Sequence, residues 1–213
     1  MPALLFLHGL ASAPGGRKPA AIREALAPRG WSVLNPDMNV PSFEELSFEA
    51  MVGAALDAAR AAPPDVVIGS SLGALVALAA AQRGVDVPLV LVAPALGIAA
   101  TWREKLPDRD PVPFFHRETG RIRPIHRAFF EELARVEPSL RPPRRPVSVL
   151  MGRADESVPF AGVETTWRRW SEAGFLTPDS EFVAIEGGDH SLLAHVPRIV
   201  EAVLRRAGGT SGS

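Results

Sequence analysis

A serine hydroxyl attacks a carbonyl carbon only when a neighbouring base takes its proton, and that base works best when a third group orients it. The 213-residue chain carries the three groups far apart in sequence. Ser71 is the centre of Gly69-Ser70-Ser71-Leu72-Gly73, a G-x-S-x-G pentapeptide. Asp155 lies in Gly152-Arg153-Ala154-Asp155-Glu156, and His190 closes Gly187-Gly188-Asp189-His190. Read together they are a nucleophile, an acid and a base for acyl transfer. Each also has a plainer reading: Ser71 as an ordinary helix N-cap, Asp155 as a turn or cap carboxylate. Glu156 and Asp189 are rival acids, although Asp189 adjoins His190 and adjacent side chains seldom face each other. His116 and His126 fall in a long inserted region and His195 within the last expected helix, so they are poorer candidates for the base.

Acyl transfer builds negative charge on the carbonyl oxygen, and each donor aimed at it is worth roughly 10²- to 10³-fold in rate. The amide after the serine, Leu72 N–H, is one expected donor, and Leu10 N–H in Phe6-Leu7-His8-Gly9-Leu10 is the other. His8 is expected to brace that loop. Gly9, Gly15 and Gly16 do not form G-x-G-x-x-G, no Walker sequence is present, and the His and Asp spacings suggest no metal site. No cofactor is expected.

These residues sit at the ends of elements that the apolar pattern predicts. Short apolar runs at Ala3–Leu7, Trp31–Leu34, Asp65–Ile68, Pro88–Ala93, Val147–Met151 and Glu181–Ile185 suit strands buried on both faces. Helical stretches near Lys18–Leu26, Phe43–Arg60, Leu72–Arg83, Phe160–Gly174 and Ser191–Arg206 separate them. Strand and helix in alternation predict a parallel sheet with helices on both faces. Ser71 then falls on a tight turn between a buried strand and an apolar helix, and Asp155 and His190 fall on loops after later strands.

Residues Gly97 to Arg145 break the rhythm. This stretch of 49 residues holds 7 of the 21 prolines and carries a net charge of +4, against −5 for the remainder. Within it Arg127–Val136 reads as a short amphipathic helix with Phe129, Phe130 and Leu133 inward. The segment is either a surface excursion or a partial lid over the site. Arg117, Arg121, Arg123 and Arg127 are correspondingly either a solvated face or a means of attracting an anionic group.

Composition excludes several classes. With 46% hydrophobic residues the chain can bury a sizeable core, and one domain over 1–207 is expected. Its 23 basic and 24 acidic residues nearly cancel, so no nucleic-acid partner is implied. Arginine supplies 21 of the 23 basic residues, leaving lysine only at 18 and 105. Without cysteine there is no disulfide framework and no thiolate nucleophile. Neither a secretory leader nor a membrane span is expected, which makes the cytoplasm the default. The tail 208–213 has nothing apolar to bury and is expected to be disordered.

Phe6-Leu7-His8-Gly9, Pro36-Asp37-Met38-Asn39, Gly69-Ser70-Ser71-Leu72-Gly73 and Gly188-Asp189-His190 together resemble the α/β-hydrolase superfamily, and within it the small YqiA/YcfP-type esterases. The resemblance implies a three-layer sheet of about six mostly parallel strands, with a short helical insertion after the fourth. It also implies Ser71, His190 and Asp155 as nucleophile, base and acid. The expected activity is cofactor-independent hydrolysis of a small or medium acyl ester or thioester. A carbon-carbon bond hydrolase or lyase with the same triad is the enzymatic alternative, and a non-catalytic partner-binding protein the other.

Overall fold

The computed structural model describes residues 1–116 and 119–208. In chain order its strands are β1 (Ala3–Leu7), β2 (Ser32–Leu34), β3 (Val66–Ser70), β4 (Leu89–Val92), β5 (Val112–His116), β6 (Arg121–Ile125), β7 (Val147–Gly152) and β8 (Glu181–Ile185). The helices are α1 (Arg17–Leu26), α2 (Phe48–Ala61), α3 (Leu72–Gln82), α4 (Ile98–Lys105), α5 (Arg127–Val136), α6 (Phe160–Glu172) and α7 (Val196–Gly208). Six strands form one sheet in the order β2-β1-β3-β4-β7-β8, parallel at every pairing.

The four central strands are buried nearly end to end, as strands covered on both faces must be. Helix α3 is buried from Leu72 to Ala80 with no polar face, so it must be enclosed on all sides, and it packs against β3 and α2. Helices α1 and α7 pack together, with α7 against β3 and β4. The chain moves outward from β1 to β2 and then crosses back to β3, so the order reverses between β1 and β3. In a parallel sheet such a reversal opens a crevice at the carboxyl ends of the two strands. His8 and Ser71 follow those two ends directly.

Two helix starts differ from the sequence pattern. Helix α2 begins at Phe48 rather than Phe43, because the Ser47 hydroxyl accepts the Ala50 amide at 3.2 Å and Glu132 of α5 accepts the Phe48 and Glu49 amides at 2.9 Å each. The preceding residues take another task, with Phe43 packed edge-on against His116. Helix α7 begins at Val196 rather than Ser191. Asp189 holds residues 190–192 in a turn by accepting from Leu192 N, and Leu192 adopts φ +47°. His195 therefore lies in a short 3₁₀ turn before α7.

Between β4 and β7 the expected helix α5 is present, with Phe129, Phe130 and Leu133 buried. The segment also holds α4 and an antiparallel hairpin, β5–β6, so it is not helical alone. Of the tail, Gly208 is the last residue of α7, and residues 209–213 lie outside the described residues. Among the described residues no helix is long and apolar enough to cross a membrane.

Candidate active site

Ser71 is the one residue between β3 and α3, and its backbone is held at φ +55°, ψ −119°. That conformation is costly for a residue with a side chain. Three backbone bonds hold it there: Ser71 N donates to Val92 O at 2.9 Å, and Ser71 O accepts from Ala74 N at 3.0 Å and Ala95 N at 3.2 Å. The flanking glycines allow the elements to close around the turn. A β-carbon on Gly69 would stand 2.5 Å from the Ala74 Cα, well inside van der Waals contact.

His190 Nε2 lies 3.1 Å from Ser71 Oγ, and His190 Nδ1 lies 2.8 Å from Asp155 Oδ2. A carboxylate only accepts, so Nδ1 carries the proton and Nε2 is left to accept from the hydroxyl. Asp155 is fully buried at its side chain, and its other oxygen accepts the Ser157 and Val158 amides at 2.8 Å each. Both oxygens are thus engaged, which fixes the carboxylate toward the ring. The loops after β7 and β8 are joined: Ala154 N donates to Gly188 O at 3.0 Å and Arg153 N to Ile185 O at 3.0 Å. Asp155 and His190 are therefore positioned as a unit.

The rival acids lie elsewhere. Asp189 accepts from Ser191 Oγ and Leu192 N at 2.9 Å each. The Ser191 hydroxyl, aided by that amide and by the charge of Lys18, holds its carboxyl below the usual range. Glu156 reaches only the backbone amide of His190, at 3.4 Å.

On the β1 side, His8 is almost fully buried. The Met38 amide donates to its Nε2 at 2.9 Å, so Nδ1 carries the proton and donates to Gly9 O at 3.0 Å. His8 thereby ties the loop after β1 to residues 37–38. Asn39 adds a bond from Nδ2 to Ser12 O at 2.9 Å. The loop so braced presents Leu10 to a cavity of about 490 Å³ that Leu72, Ser71 and His190 also line. Ile98 and Trp102 of α4 and Phe114 of β5 supply apolar lining, so the segment after β4 reaches the site.

The arginines of that segment do not line this cavity among the described residues. Arg123 donates to Glu44 from Nε and Nη2, at 2.9 and 2.6 Å. Arg127 donates to Pro107 O at 2.6 Å, Arg121 is exposed on β6, and Arg117 lies outside the described residues. The basic residues lining the cavity are Arg17 and Lys18, which the sequence reading passed over. One signal was available: Lys18 is one of only two lysines in an arginine-rich chain. Among the described residues no cluster of three or more His, Asp or Glu could hold a metal ion.

A parallel sheet with a strained serine between its third strand and the following helix is the α/β-hydrolase fold, and solved structures of that fold align along nearly the whole chain. A putative hydrolase from Agrobacterium vitis S4 is 20% identical, with a TM-score of 0.77, over 97% of this chain and 88% of that one. Est1E from Butyrivibrio proteoclasticus, with ferulic acid bound, is 21% identical, with a TM-score of 0.76, over 98% and 90%. Mouse alpha/beta hydrolase domain-containing protein 10 is 22% identical, with a TM-score of 0.74, over 99% and 91%. The chain belongs to the uncharacterised protein family UPF0227, whose model matches residues 3–201. None of the curated proteins compared matches it.

Proposed function

We propose that the chain is a serine hydrolase that cleaves small or medium acyl esters or thioesters through an acyl-enzyme. The observation that carries this reading is the unbroken hydrogen-bonded line from Asp155 through His190 to Ser71, opening on a cavity. In the reaction Ser71 Oγ attacks the carbonyl carbon while His190 Nε2 takes its proton. Asp155 stabilises the imidazolium that forms and keeps the ring in the productive tautomer. The Leu10 and Leu72 amides receive the developing oxyanion. Collapse expels the alcohol or thiol, protonated by His190, and a water activated by the same imidazole then releases the acid.

The chain acts as one domain over 1–207, with 97–145 as a partial lid. Supporting the lid are Ile98, Trp102 and Phe114, whose side chains line the same cavity as Ser71. The hydrolases and the ferulate-bound Est1E that share the fold are in keeping with ester chemistry.

A fluorophosphonate is expected to leave one covalent adduct, on Ser71. Ser71→Ala should lower kcat by several orders of magnitude, since triad members act together. Labelling at Ser70, or full activity in the alanine variant, overturns the assignment. A panel of p-nitrophenyl esters of graded chain length beside acyl-CoA substrates then defines the acyl group.

A further inference from the structure

Part of the wall around Ser71 and His190 is cationic. Lys18, in the first turn of α1, donates from Nζ to Ser70 Oγ at 2.9 Å, and both residues line the cavity with Arg17. Ser70 directly precedes Ser71, so the ammonium is anchored one residue from the hydroxyl that faces His190. Its field also reaches the loop after β8, where it acts on Asp189 alongside the stronger effect of the Ser191 hydroxyl. The lining also carries apolar side chains, among them Trp102, Phe114 and Val158. The cleft therefore joins a compact positive charge to an apolar surface within reach of one serine.

A lysine that merely tied α1 to β3 could have been an arginine, which supplies 21 of the 23 basic residues here. The two cations differ in shape, arginine being a broad planar fork and lysine a small ammonium with three rotatable donors. An ammonium binds by charge as much as by direction, so the Ser70 bond does not preclude a substrate anion.

We infer that Lys18 binds an anionic group of the substrate beside the reacting carbonyl. The preferred substrates are then esters or thioesters that combine a carboxylate, or a similar small anion, with an apolar portion. This rests on the hydrolase reading above and adds the substrate class. The anion can belong to the acyl part or to the leaving group, and the two are separable by experiment.

The test compares two matched pairs. The acyl-side pair is p-nitrophenyl hydrogen glutarate and p-nitrophenyl methyl glutarate, and the leaving-side pair is 3-acetoxybenzoate and its methyl ester. In the native protein the anionic member of one pair should exceed its neutral partner in kcat/KM by about tenfold, the scale of one charge-assisted hydrogen bond. Lys18→Met should bring that ratio to about one, and added salt should reduce it through screening. A ratio has the advantage that a general loss of activity in a variant cancels. Absence of an anion preference in both pairs, or a preference that Lys18→Met leaves unchanged, overturns the inference. Fluorophosphonate labelling of the same samples separates the two failures. An adduct on Ser71 without anion preference removes the substrate class alone, and no adduct with no ester cleavage removes the hydrolase reading as well.

Discussion

A β-carbon on Gly73 would stand 2.1 Å from the carbonyl oxygen of Leu7. Helix α3 thus touches the end of β1, and the serine turn and the loop bearing Leu10 meet through bare backbone. Neither partner can swing aside as a side chain would. Gly73→Ala is therefore expected to cost about 3 kcal/mol or more, through overpacking against a fixed strand. Gly53, in the middle of α2, has open space where its β-carbon would be. Gly53→Ala should instead stabilise by about 0.5–1 kcal/mol, from helix propensity. Urea unfolding of the two variants checks both signs, and equal effects would refute the packing argument.

The acid assignment separates two neighbouring loops. Asp155→Asn removes the charge beside the imidazole and favours the wrong tautomer, a change expected to lower kcat by about 10⁴-fold. Asp189→Asn leaves the His190 ring contacts in place and should cost far less, its effect falling on the turn that Asp189 holds through Ser191 and Leu192. Steady-state kinetics of the pair decides, and a reversed order would move the acid to Asp189.

At the far edge of the sheet a polar network joins β7, β8 and α7. Buried Arg206 donates to Ser148 Oγ at 2.7 Å and to Glu181 Oε1 at 2.8 Å, and Ser148 donates to the same oxygen at 2.7 Å. Arg206→Ala should cost about 2–3 kcal/mol by removing a buried stem and its two charge-assisted hydrogen bonds, while Glu181 keeps Ser148 and Arg205 as partners. Burial pushes the Glu181 carboxyl up, but the Ser148 hydroxyl and the charges of Arg205 and Arg206 outweigh it and hold it below the ordinary value. A folded-state pKa below the unfolded value of about 4.3 contributes stability above that pH and loses it as the pH falls through the folded value. The stability gap between the native protein and Glu181→Gln should therefore be wide at pH 7 and narrow as the pH falls below the unfolded value of about 4.3. An unchanged gap in acid would exclude Glu181 as the titrating partner.

The sheet was legible because strands buried on both faces read as unbroken apolar runs, and Val66–Ile68 and Leu89–Val92 leave little else to be. Ser71, Asp155 and His190 were legible as strand-end residues with glycine beside them. The β5–β6 hairpin was not. Pro113 and Pro124 argue against strands locally, yet the register sets them opposite each other, so both missing donors fall on a single rung. The start of α2 was hidden for a different reason, since Glu132 caps it from 84 residues away. Lys18 was hidden likewise, its contact with Ser70 spanning 52 residues. No local window contains such partners.

The φ of +55° at Ser71 sets heat resistance and chemistry against each other at one position. Glycine adopts that region without steric cost, so Ser71→Gly should raise the unfolding midpoint by about 2–4 °C, equivalent to about 1 kcal/mol at this chain length. Ser71→Ala keeps the β-carbon and the strain, and should gain nothing comparable. Calorimetry of the two variants distinguishes relief of strain from loss of the hydroxyl. A laboratory lineage selected for thermal survival alone would accordingly drift away from serine at position 71, and its hardiest members would be inert.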